Sequence, residues 1–297
     1  MARIQRRALL KGSLAAGAAL GLGQICPQTA TRAAEAAGGK IRLGLVTYLW
    51  GQDWDLPTLL SNCERTKMQG VELRVQHKHG VEPTLSAAER AEVRNRFADS
   101  PVIFVGPGTN DCYDNPDPAV LRKNIESTKA YIKLSHDCGG SGVKVKPNDL
   151  HKNVPQEQTI AQIARGLNKV GKFAADFGQQ IRLEVHGKCG PIPIIKQIID
   201  QVTEPNVGLC WNCNGDELQP PGLEYHFNLV KDRFGSTAHV RELNEGDYPY
   251  QELIKLFVGM DYDGWILFEC RTKPADRVAA LHEQRKVFEE MLAKARG

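Results

Sequence analysis

The feature that most constrains this 297-residue chain is a repeated alternation of short β-rich runs and longer amphipathic stretches. Successive β-rich runs begin 26 to 41 residues apart. They are Ile41–Thr47, Gly70–Val75, Pro101–Val105, Gly142–Lys146, Ile181–His186, Val207–Asn212, Thr237–Glu242 and Gly264–Glu269. Strands that alternate with helix-length segments are typical of parallel sheets in α/β proteins.

The intervening segments predict eight helices. Ser86 and Glu89 have the spacing of a capping box, and Pro118 and Pro249 suit first helical turns. The helix candidates are Asp55–Met68, Ser86–Ala98, Asp117–Asp137, Gln156–Phe177, Ile192–Val202, Gly222–Phe234, Pro249–Met260 and Asp276–Ala295. Eight strand–helix units match a (β/α)₈ barrel, whereas doubly wound sheets commonly have about five or six strands. We therefore predict an α/β fold, with one TIM barrel spanning residues 41–297.

Residues 1–37 predict an export signal before the barrel. Arg6 and Arg7 lie in a basic segment, and the apolar stretch from 13 to 23 is too short for a permanent membrane anchor. The arginine pair followed by Leu9, Leu10 and Lys11 resembles a twin-arginine signal, with an uncleaved anchor as the alternative. We expect a periplasmic or otherwise exported protein, with no stable membrane insertion after signal removal.

Charge and cysteine content narrow the functional classes. The formal charge of +3 comes from the first 37 residues, because the remainder carries 33 basic and 34 acidic residues. Without an overall basic excess, we expect no nucleic-acid partner. Seven cysteines after residue 37 are too few for a disulfide scaffold. Cys210 and Cys213 have CxxC spacing but no second such pair, which disfavours a redox or zinc role.

Charged and polar residues concentrate where the predicted strands end, which is where TIM-barrel active sites lie. Residues two apart on a strand share a face. The strand ends supply Glu72, Arg74, Lys144, Lys146, Glu184, His186, Asn212, His239, Arg241 and Glu269, with His77 just beyond strand two. Burying such groups without partners would cost several kcal/mol each, so they must pair with one another or bind a metal or polar ligand. A salt-bridge network is the structural alternative.

Four of these residues predict a metal site. Two carboxylates, an amide and an imidazole come from four consecutive strands: Glu184, Asn212, His239 and Glu269. Oxygen ligands with one imidazole suit Mn²⁺, Mg²⁺, Co²⁺ or Zn²⁺. Two carboxylates would also neutralise a divalent charge. We expect one divalent metal ion, and we favour Mn²⁺.

The chain resembles the xylose-isomerase-like TIM-barrel superfamily, particularly exported sugar phosphate isomerase/epimerase-like proteins. The segments that carry the resemblance are Gly70–Arg74, Val143–Asn148, Leu183–Gly187, Asn206–Asn212, Ala238–Leu243 and Tyr262–Glu269. In that family the residues at Glu184, Asn212, His239 and Glu269 hold the metal. The family's usual Asp is Asn212 here, and a common His three residues later is Gly215. Both departures bear on metal affinity and substrate contacts.

The resemblance implies a sugar isomerase or epimerase that abstracts a proton beside a carbonyl and forms an enediolate. Glu184 and Glu269 would transfer the proton from opposite sides, and His186 and Lys146 would stabilise the oxyanion. The predicted substrate-binding residues are Glu72, Arg74, His77, Lys144, Arg241 and Trp50. For Trp50, loop packing is an equal alternative.

Other functions stay open at this level. One is a metal-dependent eliminase or glycoside-cleaving enzyme that acts on a keto-sugar, and another is a catalytically silent sugar-binding barrel. The expected partner is a small sugar or keto-sugar, and export favours one without phosphate. A homo-oligomer is compatible with the sequence.

Overall fold

The computed structural model describes residues 41–297 and shows a closed barrel of eight parallel strands in chain order. The strands are β1 (Arg42–Val46), β2 (Gly70–Arg74), β3 (Ile103–Cys112), β4 (Gly142–Lys146), β5 (Gln180–Glu184), β6 (Val207–Asn212), β7 (Phe234–Val240) and β8 (Trp265–Phe268). The helices are α1 (Leu56–Thr66), α2 (Ala87–Ala98), α3 (Pro118–Asp137), α4 (Gln156–Ala175), α5 (Ile192–Ile199), α6 (Leu223–Val230), α7 (Tyr250–Gly259) and α8 (Arg277–Arg296). The predicted TIM barrel is confirmed. The predicted signal at residues 1–37 lies outside the described residues.

The barrel closes where β1 pairs with β8, from Arg42 beside Trp265 to Leu45 beside Phe268. A small cluster of Val46, Val105, Trp265 and Leu267 packs separately from the main core between strands and helices. Because side chains alternate along a strand, Trp265 and Leu267 share the face of Glu269. The apolar cluster therefore lies below the polar residues at the carboxyl ends of the strands, which we call the barrel mouth.

Strand β3 differs from the sequence prediction, because it runs from Ile103 to Cys112 rather than ending at Val105. The glycines and proline of residues 106–108 resemble a turn, but they form part of the strand. The β2–β3 register shifts between Val71 and Glu72, opposite Gly106 with φ of 144°. Gly108 leaves room for the Glu72 carboxylate, which a Cβ atom would strike. The longer strand brings Thr109 and Asn110 to the barrel mouth.

Helix ends largely follow the sequence signals. Ser86 and Glu89 form the predicted capping box, and Asp55, Asp117 and Asp276 accept hydrogen bonds from first-turn N–H groups. Helix α6 is shorter than predicted, because a 3₁₀ turn at Lys231–Arg233 ends it before β7. Within residues 41–297 all seven cysteines are unpaired. None of the helices in this range is both long and apolar enough to span a membrane.

Candidate active site and metal centre

The predicted metal ligands meet at the barrel mouth. Glu184 and Asn212 end β5 and β6, His239 is the penultimate residue of β7, and Glu269 directly follows β8. One ligand atom each from Glu184, His239 and Glu269 lies within 4.8 Å of the others, and all three residues are buried. Asn212 lies between the carboxylates, with Nδ2 at 2.7 Å from Glu184 Oε1 and 3.4 Å from Glu269 Oε2. The structure therefore brings all four residues together.

The His239 ring is oriented from behind by Glu72. Its Nε2 atom lies 3.4 Å from Glu72 Oε2, across the barrel interior, and both side chains are fully buried. Its Nδ1 atom lies 3.9 Å from both Glu184 Oε1 and Glu269 Oε2 and has no hydrogen-bond partner. A proton on Nε2 would leave the Nδ1 lone pair free for a metal, and a carboxylate behind a ligating histidine is the usual support of such a ring.

Burial lowers the pKa of His239 and favours its neutral form, but nearby groups raise this pKa. The Cys210 sulfur and the Glu72 carboxylate outweigh the effect of burial, and they raise the pKa of His239 well above its ordinary value. Burial likewise favours a protonated Glu72, but the charges of His239 and Lys144 lower the pKa of its carboxyl group. In the absence of a metal, the charges of this pair thus stabilise each other.

The predicted substrate contact of Glu72 stays a prediction, and the structure shows a second role for this residue. It was expected to contact substrate, yet its carboxylate is enclosed, lies against His239 and has no exposed surface. The structure gives Glu72 the position of a residue that orients a ligand.

Lys144 likewise has a second role, and its predicted substrate contact stays a prediction. Its ammonium lies 2.6 Å from Glu184 Oε2, bonds to the Thr109 carbonyl at 3.2 Å, and is fully buried. Burial alone would raise the pKa of the Glu184 carboxyl group, but the Lys144 charge opposes this most strongly, and the pKa is lowered overall. Lys144 therefore keeps Glu184 ionised in this structure.

Arg74 and Lys146 occupy the β2–β4 side of the barrel mouth. The Arg74 guanidinium bonds to the Gly108 and Thr109 carbonyls at 3.2 Å, and to Asn110 Oδ1 at 2.8 Å. Lys146 reaches the same Asn110 oxygen at 3.3 Å. Burial and the positive charge of Lys144 lower the pKa of Lys146 to about 8.

The two predicted histidines are partly buried at the ends of their strands. His186 has an unpartnered Nδ1 atom, and burial lowers its pKa despite the opposing charge of Glu184. His77 also has an unpartnered Nδ1 atom, and burial together with the charge of Arg74 lowers its pKa. Both rings therefore favour the neutral form.

Arg241 and Trp50 have different surroundings. Arg241 lines a cavity of about 410 Å³ with Asn214, Gly215, Tyr248 and Arg271. Trp50 is 2% exposed, and its indole N–H donates to the Thr272 carbonyl at 3.0 Å. The structure therefore favours the packing role for Trp50 over contact with a sugar ring.

Sequence reasoning missed several residues that shape the barrel mouth. Asn110 is one, because β3 was expected to end before it. Another is Glu217, which is buried and accepts hydrogen bonds from the Asn214 N–H at 3.0 Å and the Tyr248 hydroxyl at 2.7 Å. A third is Glu242, which accepts from the Arg271 and Thr272 N–H groups. Their only sequence signal is that each acid or amide lies within a few residues of the carboxyl end of a strand.

The residues present fit a divalent metal. Two buried polar atoms in the ligand group, His239 Nδ1 and Asn212 Oδ1, have no hydrogen-bond partner. Buried polar atoms normally have one, so a cation would satisfy both. The Asn212 oxygen can face the ligand group by a simple amide rotation, since amide orientation is assigned from the hydrogen-bond network.

Comparisons with known proteins agree with this architecture. A family model described as a xylose isomerase-like TIM barrel matches residues 60–214, just over half of the chain. A search of curated protein sequences found no significant match.

Solved structures show the same fold. An L-ribulose 3-epimerase aligns with a TM-score of 0.75 at 17% identity, over 86% of this chain and 96% of that chain. The 3-keto-D-glucoside 4-epimerase YcjR from E. coli aligns with a TM-score of 0.71 at 11% identity, over 84% and 99%. The IolI protein with a bound zinc atom aligns with a TM-score of 0.72 at 14% identity, over 86% and 99%. The family model matches just over half of the chain, and the fold and the converging strand-end residues agree with it. The chain therefore belongs to the xylose isomerase-like TIM-barrel family.

Proposed function

We propose that this protein is a divalent-metal-dependent sugar isomerase or epimerase. The observation that carries the proposal is the buried group of Glu184, Asn212, His239 and Glu269, with two polar atoms left unpartnered. Three aligned structures of this fold, two of sugar epimerases and one holding zinc, support it as relatives of the same architecture. Among divalent ions we favour Mn²⁺, because oxygen ligands with one imidazole suit it.

The two carboxylates would carry the proton transfer. Glu184 and Glu269 come from β5 and β8, so they can approach a bound sugar from two directions. One carboxylate removes the proton from the carbon beside the carbonyl, and an enediolate forms. The other, in its protonated form, returns a proton to the opposite face of the same carbon, which is epimerisation. Isomerisation returns the proton to the neighbouring carbon and also requires a hydroxyl proton to move between the two enediolate oxygens. A divalent ion bound to this group would supply Lewis-acid polarisation of the substrate carbonyl.

The surrounding residues prepare this chemistry. The Lys144 ammonium lies 2.6 Å from Glu184 Oε2 and keeps that carboxylate ionised, and Glu72 holds the His239 ring in place. His186 follows Glu184 by two residues, and both His186 and Lys146 interact electrostatically with Glu184 and Glu269. We assign His186 and Lys146 to oxyanion stabilisation or hydroxyl binding. Developing negative charge on the substrate oxygen needs such fixed donors.

The same proton abstraction permits elimination when the β-carbon carries a leaving group. We therefore keep a keto-sugar eliminase or glycoside-cleaving enzyme as the alternative reaction. A catalytically silent sugar-binding barrel is the second candidate. Lys144 beside Glu184 and the neutral Asn212 both favour it, because they reduce the negative charge available to a cation.

We also propose that the protein is exported and acts on an unphosphorylated sugar. The twin-arginine-like segment at residues 1–37 supports export, and sugar phosphates are scarce outside the cytoplasm. Cell fractionation, with a variant in which Arg6 and Arg7 are both replaced by lysine, tests this part separately.

Two measurements test the main proposal. Elemental analysis of the purified protein should find about one divalent ion per chain, which Glu184→Gln or His239→Ala removes. A panel of free sugars and 3-keto sugars in D₂O should show deuterium entering the carbon beside the carbonyl in at least one of them. A metal-free wild type with no metal-induced rise in Tm would contradict the metal site, and turnover without exchange or a primary isotope effect would indicate a hydride shift or another reaction.

A further inference from the structure

Among the described residues, Arg74 is a buried cation without a counter-ion. Its side chain is 8% exposed, and its three hydrogen bonds go to two backbone carbonyls and the Asn110 amide oxygen. Its Nε atom has no partner. Within residues 41–297 no carboxylate lies within ion-pair distance of this guanidinium. A buried charge without an opposite charge is costly, and such groups normally pair or bind an ion.

Lys146 is a second, half-buried cation beside Arg74. Both cations contact one uncharged oxygen, Asn110 Oδ1, at 2.8 and 3.3 Å, so a single small group could bridge them. Burial and the neighbouring charges of Lys144 and Arg74 lower the Lys146 pKa to about 8, although Glu184 and Glu269 partly oppose this. Neither cation of the pair has a carboxylate in ion-pair contact within the described residues.

The nearby acidic groups are committed elsewhere. Glu184 pairs with Lys144 at 2.6 Å and accepts from Asn212 at 2.7 Å. Asp111 accepts from the Thr128 hydroxyl at 2.9 Å, and Glu82 accepts from the Tyr131 hydroxyl at 2.6 Å. Within residues 41–297, no acidic group is thus left to pair with Arg74 or Lys146.

We propose that Arg74 and Lys146 form a binding site for an anionic group of the substrate, a carboxylate or a phosphate. Arginine suits either group, because its planar fork donates parallel hydrogen bonds to two oxygens. The proposal rests on the proposed function, since it names the class of sugar that the same site takes. A sugar acid agrees both with an anion site and with a substrate that carries no phosphate, because its negative charge is a carboxylate.

Isothermal titration of the full chain loaded with Mn²⁺ tests the site directly. The probes are a neutral ketohexose, D-fructose, and two anionic counterparts that differ at C6, D-fructuronate and D-fructose 6-phosphate. We expect at least one anion to bind about 30-fold more tightly than D-fructose, as a charge-assisted pair of contacts provides. The anion that binds more tightly identifies the source of the charge. Equal affinities for all three, or no binding of either anion, would overturn the proposal.

Variants locate the effect. Lys146→Met should reduce the ratio of anionic to neutral affinity to within about threefold, and Arg74→Gln should reduce it similarly if that buried variant folds. Lys188→Met is the matched control, because Lys188 lies on the loop after β5, is exposed and pairs with Asp149 at 2.9 Å. It should preserve the ratio. A lower kcat in Lys146→Met with an unchanged affinity ratio would instead assign Lys146 to oxyanion stabilisation alone and reject the anion site.

Solvent exchange separates this proposal from the proposed function. Deuterium exchange into a neutral ketohexose without any anion preference would leave the proposed function standing and reject the anion site. Anion preference without exchange into any probe would support the site and reject proton transfer as the reaction.

Discussion

The two sides of the barrel mouth carry opposite charges. The β5–β8 side presents two carboxylates and an imidazole that converge within 4.8 Å. The β2–β4 side presents Arg74, Lys144 and Lys146, of which only Lys144 has a carboxylate partner within residues 41–297. The Lys144–Glu184 contact at 2.6 Å joins the two sides.

This difference in charge indicates that the two sides of the barrel mouth have different functions. The acidic side is suited to hold a cation and move protons, and the basic side is suited to bind a negative group or stabilise a developing one. A substrate that spans both sides would be oriented by charge before any hydroxyl is recognised. The predictions below therefore alter one side at a time.

The largest effect is expected from removing a base on the acidic side. Glu269→Gln should lower kcat by about 10³-fold or more, because the amide keeps an oxygen ligand but cannot accept a proton. Metal content measured on the same sample separates loss of the base from loss of the metal. Glu245→Gln, an exposed change at the same end of the barrel, is the control. Near-normal turnover in Glu269→Gln would assign proton transfer to other residues.

The contact between the two sides should matter most for stability. Lys144→Met leaves Glu184 as a buried carboxylate without its cation, and removing one partner of a buried pair costs about 3–5 kcal/mol. We expect urea unfolding to show this loss in metal-free protein, and added Mn²⁺ to recover part of it. The exposed change Lys188→Met should leave the unfolding free energy nearly unchanged. An unchanged Lys144→Met midpoint would mean that Glu184 is protonated rather than paired.

The ligand residues and the three cations of the barrel mouth were predictable from sequence, but several of their contacts were not. The four predicted ligands lie at or next to the carboxyl end of a strand, and these ends meet in any closed barrel: Glu184, Asn212, His239 and Glu269. Sequence alternation gives the face of a side chain but not its partner across the barrel, so the contact between Glu72 and His239 was missed. Asn110 was missed because glycines at 106 and 108 disguise the continuation of β3.

Removing the Glu72 carboxylate, which lies behind His239 on the acidic side, should have a smaller but measurable effect on metal affinity. Glu72→Gln removes the charge that faces His239 Nε2, and loss of such an orienting carboxylate typically costs about 10- to 100-fold in metal affinity. Competition with a fluorescent chelator measures this. Glu82→Gln is the control for Glu72→Gln, because it makes the same chemical change at a carboxylate that bonds to Tyr131 rather than to His239. Equal metal affinity in wild type and Glu72→Gln would remove Glu72 from the metal site.

Adding charge to the acidic side should have the opposite sign. Asn212→Asp supplies a third carboxylate, and we expect metal affinity to rise by on the order of tenfold. The added charge also raises the pKa of nearby carboxyl groups when no metal is bound, so turnover at low metal should slow. Metal titration followed by calorimetry tests the affinity. Unchanged or weaker binding would show that Asn212 is not a ligand.

The mildest perturbation of the basic side is pH, acting through Lys146. Its pKa is lowered from 10.5 to about 8, so its ammonium is present below pH 8 and is lost above it. The affinity for an anionic sugar should therefore fall several-fold between pH 7 and 9, while Lys146→Arg should stay nearly flat, because arginine keeps its charge. Stability should respond in the opposite direction: the folded state gives up this proton before the unfolded state does, so the contribution of Lys146 to the free energy of unfolding rises between about pH 8 and 10.5. If the anion affinity falls with pH while the unfolding midpoint does not, the pH effect belongs to the Lys146 ammonium. If the anion affinity falls equally in wild type and Lys146→Arg, the effect belongs to another group.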